Sequence, residues 1–158
     1  MITIHKIKLK DLEHIRDFIK KCKPLGFHTL YTYWVLAYHC NDFCFVAREE
    51  NDEIIGFISA IVSQKHKNSI FLWQIGVLQK YRSTGLSHQL IDKLFQISSE
   101  KGFKSIQLSI DPDNKASFNL FKKYAESINK NLVKIDNLRL SDKFSDYIEY
   151  EDIYQIVI

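Results

Sequence analysis

Apolar and polar positions alternate over residues 2–8, with Ile2, Ile4 and Ile7 as the apolar members, and this period predicts a short strand. From Leu12 the period lengthens. Leu12, Ile15, Ile19 and Cys22 recur at helical spacing, and Pro24 and Gly26 end the run. A second helix is expected from about residue 29, where Thr29 is a suitable N-cap, to residue 40. Its apolar face is predicted to hold Leu30, Tyr33, Trp34 and Ala37. Residues 43–48 and 53–62 alternate on either side of an Asn51-Asp52 turn and predict a hairpin. A further strand covers residues 70–77. Leu86, Leu90, Ile91, Leu94 and Ile97 then mark one face of a helix over 86–101, which Gly102 stops. Residues 105–110 read as a strand, 114–128 as a helix, 132–135 as a short strand and 147–158 as a longer one.

The order is therefore one strand, two helices, three strands, a helix, a strand, a helix and two strands. A helix between two strands implies a crossover, so the strands at 70–77 and 105–110 should be parallel neighbours. Hairpins make the rest antiparallel. The fold class is α/β: a mixed, mostly antiparallel sheet of seven strands flanked by four helices. No repeat, low-complexity tract or Pro/Gly-rich linker divides the chain, so residues 1–158 are read as a single domain.

Composition narrows the class. A formal charge of +3 with scattered Lys and Arg argues against a nucleic-acid partner. No apolar run is long enough to cross a bilayer, so no membrane partner is expected. Cys22, Cys40 and Cys44 lack disulfide spacing, and the N-terminus lacks a leader's long apolar segment; together these predict a reducing, cytoplasmic setting. His39, Cys40 and Cys44 have no second pair at zinc spacing, so they are read as buried thiols and no metal is expected. His66 and His88 are read as surface residues. Neither a Gly-x-Ser-x-Gly elbow nor a Walker loop occurs.

One turn carries more specific chemistry. The strand ending at Val77 runs into Arg82-Ser83-Thr84-Gly85-Leu86-Ser87, where a helix begins. A helix start has free N–H groups and the positive end of the dipole, and a turn feeding it adds more N–H groups, which suits phosphate oxygens. Gly85 lets the backbone approach an anion, Arg82 offers a charge, and Ser83, Thr84 and Ser87 offer hydroxyls. Alone, such a turn is also an ordinary connection. Its pattern, Arg82-x-x-Gly85-x-Ser87 followed by an amphipathic helix, resembles the acetyl-CoA signature of the GNAT N-acetyltransferase superfamily. Asn114-Lys115-Ala116-Ser117-Phe118-Asn119-Leu120-Phe121 resembles the next helix of that superfamily.

The resemblance implies acetyl-CoA as co-substrate and no metal. It places Ile75, Val77, Arg82, Ser83, Thr84, Gly85, Leu86, Ser87, Asn114, Ser117 and Phe121 along it. It also implies that the strand carrying Ile75 and Val77 splays from the strand at 105–110, leaving an edge for the pantetheine arm. An amide near Val77 would face the thioester carbonyl. Many members have a Tyr acid where this chain has Phe121; Tyr124, three residues on, is the substitute considered, and a thiolate can also leave unaided. Glu149 is the carboxylate considered for the base.

A narrower resemblance is to the L-2,4-diaminobutyrate acetyltransferases of ectoine synthesis. It rests on Tyr31-Thr32-Tyr33-Trp34, Phe71-Leu72-Trp73-Gln74 and the Asn114 segment, among others. It implies that Tyr31, Trp73, Glu149 and Glu151 bind the amine, which fits a cationic substrate. This chain departs from that family at Gly26, His28 and Ile148, where the family has an acidic residue, an Asn and a His. L-2,4-Diaminobutyrate, a related diamine or another amino acid are therefore all expected acceptors. A protein Lys or N-terminal acetyltransferase and a non-catalytic acyl-CoA sensor are the alternatives. Tyr31, Tyr33, Trp34 and Tyr38 go all round the second helix, and a homodimer is expected to bury one face of it.

Overall fold

The computed structural model describes residues 1–23 and 25–158, so the Pro24 stop signal lies outside the described residues. The elements are β1 (Thr3–Lys6), α1 (Leu12–Lys21), α2 (Leu30–His39), β2 (Phe45–Arg48), β3 (Ile54–Val62) and β4 (Ser69–Val77). They continue with α3 (Leu86–Glu100), β5 (Ser105–Ile110), α4 (Lys115–Ser127), β6 (Val133–Ser141) and β7 (Ile148–Val157). The seven strands form one sheet in the order β1-β2-β3-β4-β5-β7-β6. Only β4 and β5 run parallel, as the crossover through α3 requires; the other neighbours are antiparallel. This is the α/β architecture expected from the element order.

The helices sit on both faces. Gly56 and Phe57 are successive residues of β3 and so point to opposite sides. A Cβ on Gly56 would meet Leu90 of α3 at 3.1 Å. The Phe57 ring stands edge-on to Tyr33 of α2, 6.2 Å away. Hence α1 and α2 cover one face and α3 the other. Beside α3 lies α4, joined to it by a hydrogen bond from the Tyr124 hydroxyl to Asp92 (2.8 Å). Thr29 caps α2 by accepting from the Thr32 amide. Asp11 ties the N-terminal elements together: its carboxylate accepts from the Lys8 amide and pairs with buried Arg48 at the end of β2, 2.6 Å away.

Two expectations need correction. Leu36, with Tyr33 and Ala37, forms the buried face of α2 in place of the expected Leu30 and Trp34: Leu30, the first residue of the helix, is 47% exposed and Trp34 is half-buried. The strand expected at 132–135 extends to Ser141. Every residue of β6 is exposed, so its order comes from pairing with β7 rather than from burial of an apolar face.

Candidate active site

The parallel ladder between β4 and β5 joins only Ser69–Leu72 to Ser105–Leu108. Past that point β4 continues to Val77 and β5 to Ile110, and the two strands diverge. The outer edge of β4 over residues 73–77 therefore has no strand beside it. On its other side β4 stays paired with β3 through Val77, but Ser59 faces Gln74 and Ala60 faces Leu72. Trp73 is thus the extra residue of a β-bulge, a device that re-aims a side chain. Trp73 is 41% exposed and lies tilted by 49° against His28, 5.2 Å between ring centroids.

A cavity of about 510 Å³ occupies the divergence. Leu25, Trp73, Gln74 and Ile75 form one wall; Asn114, Ser117 and Phe121 of α4 and its cap form another. Glu149 and Glu151 of β7 and Asp111 and Asp113 of the β5–α4 loop give the third. Of the residues expected to hold acetyl-CoA or the amine, Trp73, Ile75, Asn114, Ser117, Phe121, Glu149 and Glu151 are brought together here. Gln74 is 6% exposed, and its Nε2 donates to the Gly26 carbonyl at 2.8 Å. A Cβ on Gly76 would lie 2.4 Å from the Leu25 side chain, so the absence of one lets that wall close in.

Electrostatics within the cavity are one-sided. Burial, together with a hydrogen bond and charge repulsion from Glu149 and repulsion from Asp111, pushes the Glu151 carboxyl up to about 7, while a hydrogen bond from Ser109 pulls the other way.

A second cavity of about 460 Å³ lies at the N-terminus of α3. Ser83 and Gly85 both have positive φ (63° and 86°), which turns successive amides inward. Gly85 caps α3 without a side-chain hydrogen bond, leaving the first-turn amides free. Ser87, His88, Asn119 and Lys123 complete the lining. This donor set fits a pyrophosphate.

The other expected residues are placed differently. Arg82 turns back on the chain, its guanidinium donating to the carbonyls of Val77 and Lys23, rather than lining this cavity. The Thr84 hydroxyl is committed to the Tyr81 carbonyl at 2.6 Å. Leu86 and Val77 are buried in the core. Tyr31 is 70% exposed, stacks on Trp34 and lines neither cavity. Tyr124 also lines neither: it is buried beside Phe95 and His88, and burial plus its bond to Asp92 pushes its hydroxyl well above the usual tyrosine range. That arrangement departs from the acid role considered for it.

Sequence reasoning missed Gln74, Asp111, Asp113, His88 and Lys123. For the last two a signal exists: Ala116, Asn119, Leu120 and Lys123 share one face of α4 at helical spacing, and His88 lies in the first turn of α3. Among the described residues no group of three or more His, Cys, Asp and Glu is arranged to hold a metal ion. No described helix is long and apolar enough to cross a membrane.

The parallel splay, the bulged strand and the anion-binding turn define an acetyltransferase fold of the GNAT type, and the model of the acetyltransferase (GNAT) family matches residues 12–125. The chain belongs to that family. A protein of Chromohalobacter salexigens named L-2,4-diaminobutyric acid acetyltransferase is 37% identical over 125 residues, 79% of this chain and 65% of the relative. One of the same name from Halomonas elongata is 36% identical over 112 residues, 71% of this chain and 58% of the relative. The chain thus matches less than two thirds of the length of these relatives. In fold it is similar to the diaminobutyrate acetyltransferase of Paenibacillus lautus, solved with L-2,4-diaminobutyric acid and coenzyme A. The TM-score is 0.83 at 24% identity, covering 99% of this chain and 95% of that one.

Proposed function

We propose that this protein moves the acetyl group of acetyl-CoA to a primary amine of a small diamine, with L-2,4-diaminobutyrate the first acceptor to test. The observation that carries the reading is the open edge of β4 between an anion-binding helix start and an acidic pocket. Acetyl-CoA fits that arrangement end to end. Its pyrophosphate would meet the amides at Ser83–Ser87, and its pantetheine arm would lie along residues 73–77 as an added strand, flanked by Asn114, Ser117 and Phe121. The names of the relatives support the diamine.

The acceptor nitrogen attacks the thioester carbon, forming the C–N bond, and the C–S bond breaks to release the thiolate of coenzyme A. Backbone amides near Val77 stabilise the oxyanion in between. The ammonium proton passes to the Glu149–Glu151 pair, of which Glu151 is tuned near neutrality. The thiolate leaves without a tyrosine acid, taking its proton from solvent.

We place the protein in the cytoplasm, a reading supported by three thiols without disulfide spacing. We also read residues 1–158 as one domain, supported by the single continuous sheet. A homodimer is supported by the aromatic ladder on α2, where exposed Tyr31 and Tyr38 stack on half-buried Trp34. Light scattering tests this: Tyr38→Glu should halve the particle mass, and a monomeric wild type removes the idea.

Thiol release from acetyl-CoA with a panel of free diamines and of peptides tests the activity. Turnover with diamines is expected. Turnover with peptides alone would favour a protein acetyltransferase. Tight acetyl-CoA binding without turnover on any amine would make the protein a sensor.

A further inference from the structure

Glu149 and Glu151 alternate on β7, half-buried and on the same face, and both line the acceptor cavity. Residue 147 continues that face, and the Tyr147 hydroxyl donates to Glu149 Oε2 at 3.3 Å. The β6–β7 turn holds the tyrosine backbone. The Asp142 amide donates to the Tyr147 carbonyl at 3.3 Å, and the Tyr147 amide donates to Ser145 Oγ at 3.4 Å. Asp142 in turn accepts from the Phe144 amide and the Ser145 hydroxyl, so the turn is knitted before the strand begins. The ring itself is exposed and is not part of the core.

The two carboxyls have different partners. Glu149 accepts from Tyr147, whereas Glu151 receives a hydrogen bond from Ser109 of β5 and shares one with Glu149. Across β6 they face only Leu140 and Leu138. Among the described residues that line the cavity, the other ionisable side chains are Asp111 and Asp113. Two hydrogen-bonded carboxyls share a proton, and a donor placed on one of them decides which keeps its charge. Repulsion from Glu149, with Asp111 and Glu151 behind it, holds the Tyr147 hydroxyl above the ordinary tyrosine range, so it remains a donor while the pair titrates. We infer that Tyr147 is the positioning residue for the base: by donating to Glu149 it fixes that group as the carboxylate and leaves Glu151 as the member of the pair that takes the acceptor's proton. The inference rests on the acetyltransferase reading and assigns its base. As the amine lone pair attacks the thioester carbon, the N–H bond breaks and its proton goes to a carboxylate oxygen of Glu151. Glu149 keeps its charge throughout.

Tyr147→Phe removes the hydroxyl and keeps the ring. Carbon NMR of the glutamate carboxyls, titrated on the folded protein without substrate, reads the pair directly. In the wild type the step near neutrality should be carried by Glu151, with Glu149 nearly silent there. In Tyr147→Phe that step should divide between the two signals. Thiol release with a diamine that the wild type uses gives the second reading. The acidic limb of kcat/KM should move up by about half a pH unit, while the plateau above it stays within about threefold. A tyrosine that serves only the turn lowers turnover equally at every pH and leaves limb and signals in place; that result overturns the inference. So does a wild-type neutral step carried by Glu149. A larger plateau loss overturns it too, since Tyr147 would then be transferring a proton itself. If the wild type releases no thiol with any amine, the acetyltransferase reading fails and takes the base assignment with it, whatever the titration shows.

Discussion

Glu151 and Tyr124 are both pushed up by burial, but only one of them stays in contact with the cleft. The Glu151 carboxyl, ordinarily near 4.5, titrates at about 7 in the folded chain. Between those values the folded state holds a proton that the unfolded state has lost, so stability falls as pH rises across that window. Glu151→Gln removes this penalty. Its melting temperature relative to wild type should be higher at about pH 8 than at about pH 5; an equal offset at both would mean the carboxyl titrates normally. Tyr124→Phe tests the other group. Losing the donor to Asp92 should cost about 1 kcal/mol in denaturant unfolding, while turnover stays within about twofold. A large loss of kcat with unchanged folding would return Tyr124 to the acid role. The sequence pointed to the right helix but not the right side. Three residues on is 300° around a helix, so Tyr124 stands about 60° from Phe121 and faces α3 instead of the cleft.

Among the elements, strands and helices with one buried face were legible, because their periods are 2 and 3.6. Strand β5 matches its expected bounds, and α3 and α4 match within a residue or two. The far end of β6 was not legible, since Val133 and Ile135 alternate with Lys134 and Asp136 but the phase slips at Asp136-Asn137 before Leu138 and Leu140 resume it, and pairing alone orders the strand. The bulge at Trp73 left no mark in the pattern either. The β4–β5 divergence was expected only through the family resemblance, because a missing ladder has no residue signature. The turn before α3 was legible as a strand-to-helix connection with a left-handed Gly85. Gly85→Glu should abolish acetyl-CoA binding by calorimetry, since it strains a left-handed position and sets a carboxylate against the phosphates. Gly85→Asn, tolerant of that conformation, should retain most of the affinity. Full affinity in Gly85→Glu would remove this turn from the cofactor site.

Across the molecule, long-range order depends on a few polar ties as well as on the core. Asp11 and Arg48 are 0% and 4% exposed and join the start of α1 to β2, with His5 of β1 3.6 Å from the same carboxylate. Asp11→Ala would leave the buried guanidinium only Asp52, whose carboxylate lies 3.3 Å away at the surface, and should cost about 3 kcal/mol in unfolding free energy. A loss below about 1 kcal/mol would mean that solvent reaches the pair. This tie joins residues 37 positions apart, and nothing in the local pattern around either announces it.

An unpaired strand edge in the middle of a sheet is also a hazard, because it offers a template to any extended chain in a crowded solution. Along residues 73–77 of β4 that template is only five residues long, kinked at its start by the Trp73 bulge. An invading strand would have to thread between α4 and a wall of four carboxylates. The gap proposed for the pantetheine arm is thus shaped against fibril-like pairing, and the protein can keep an open edge without becoming sticky.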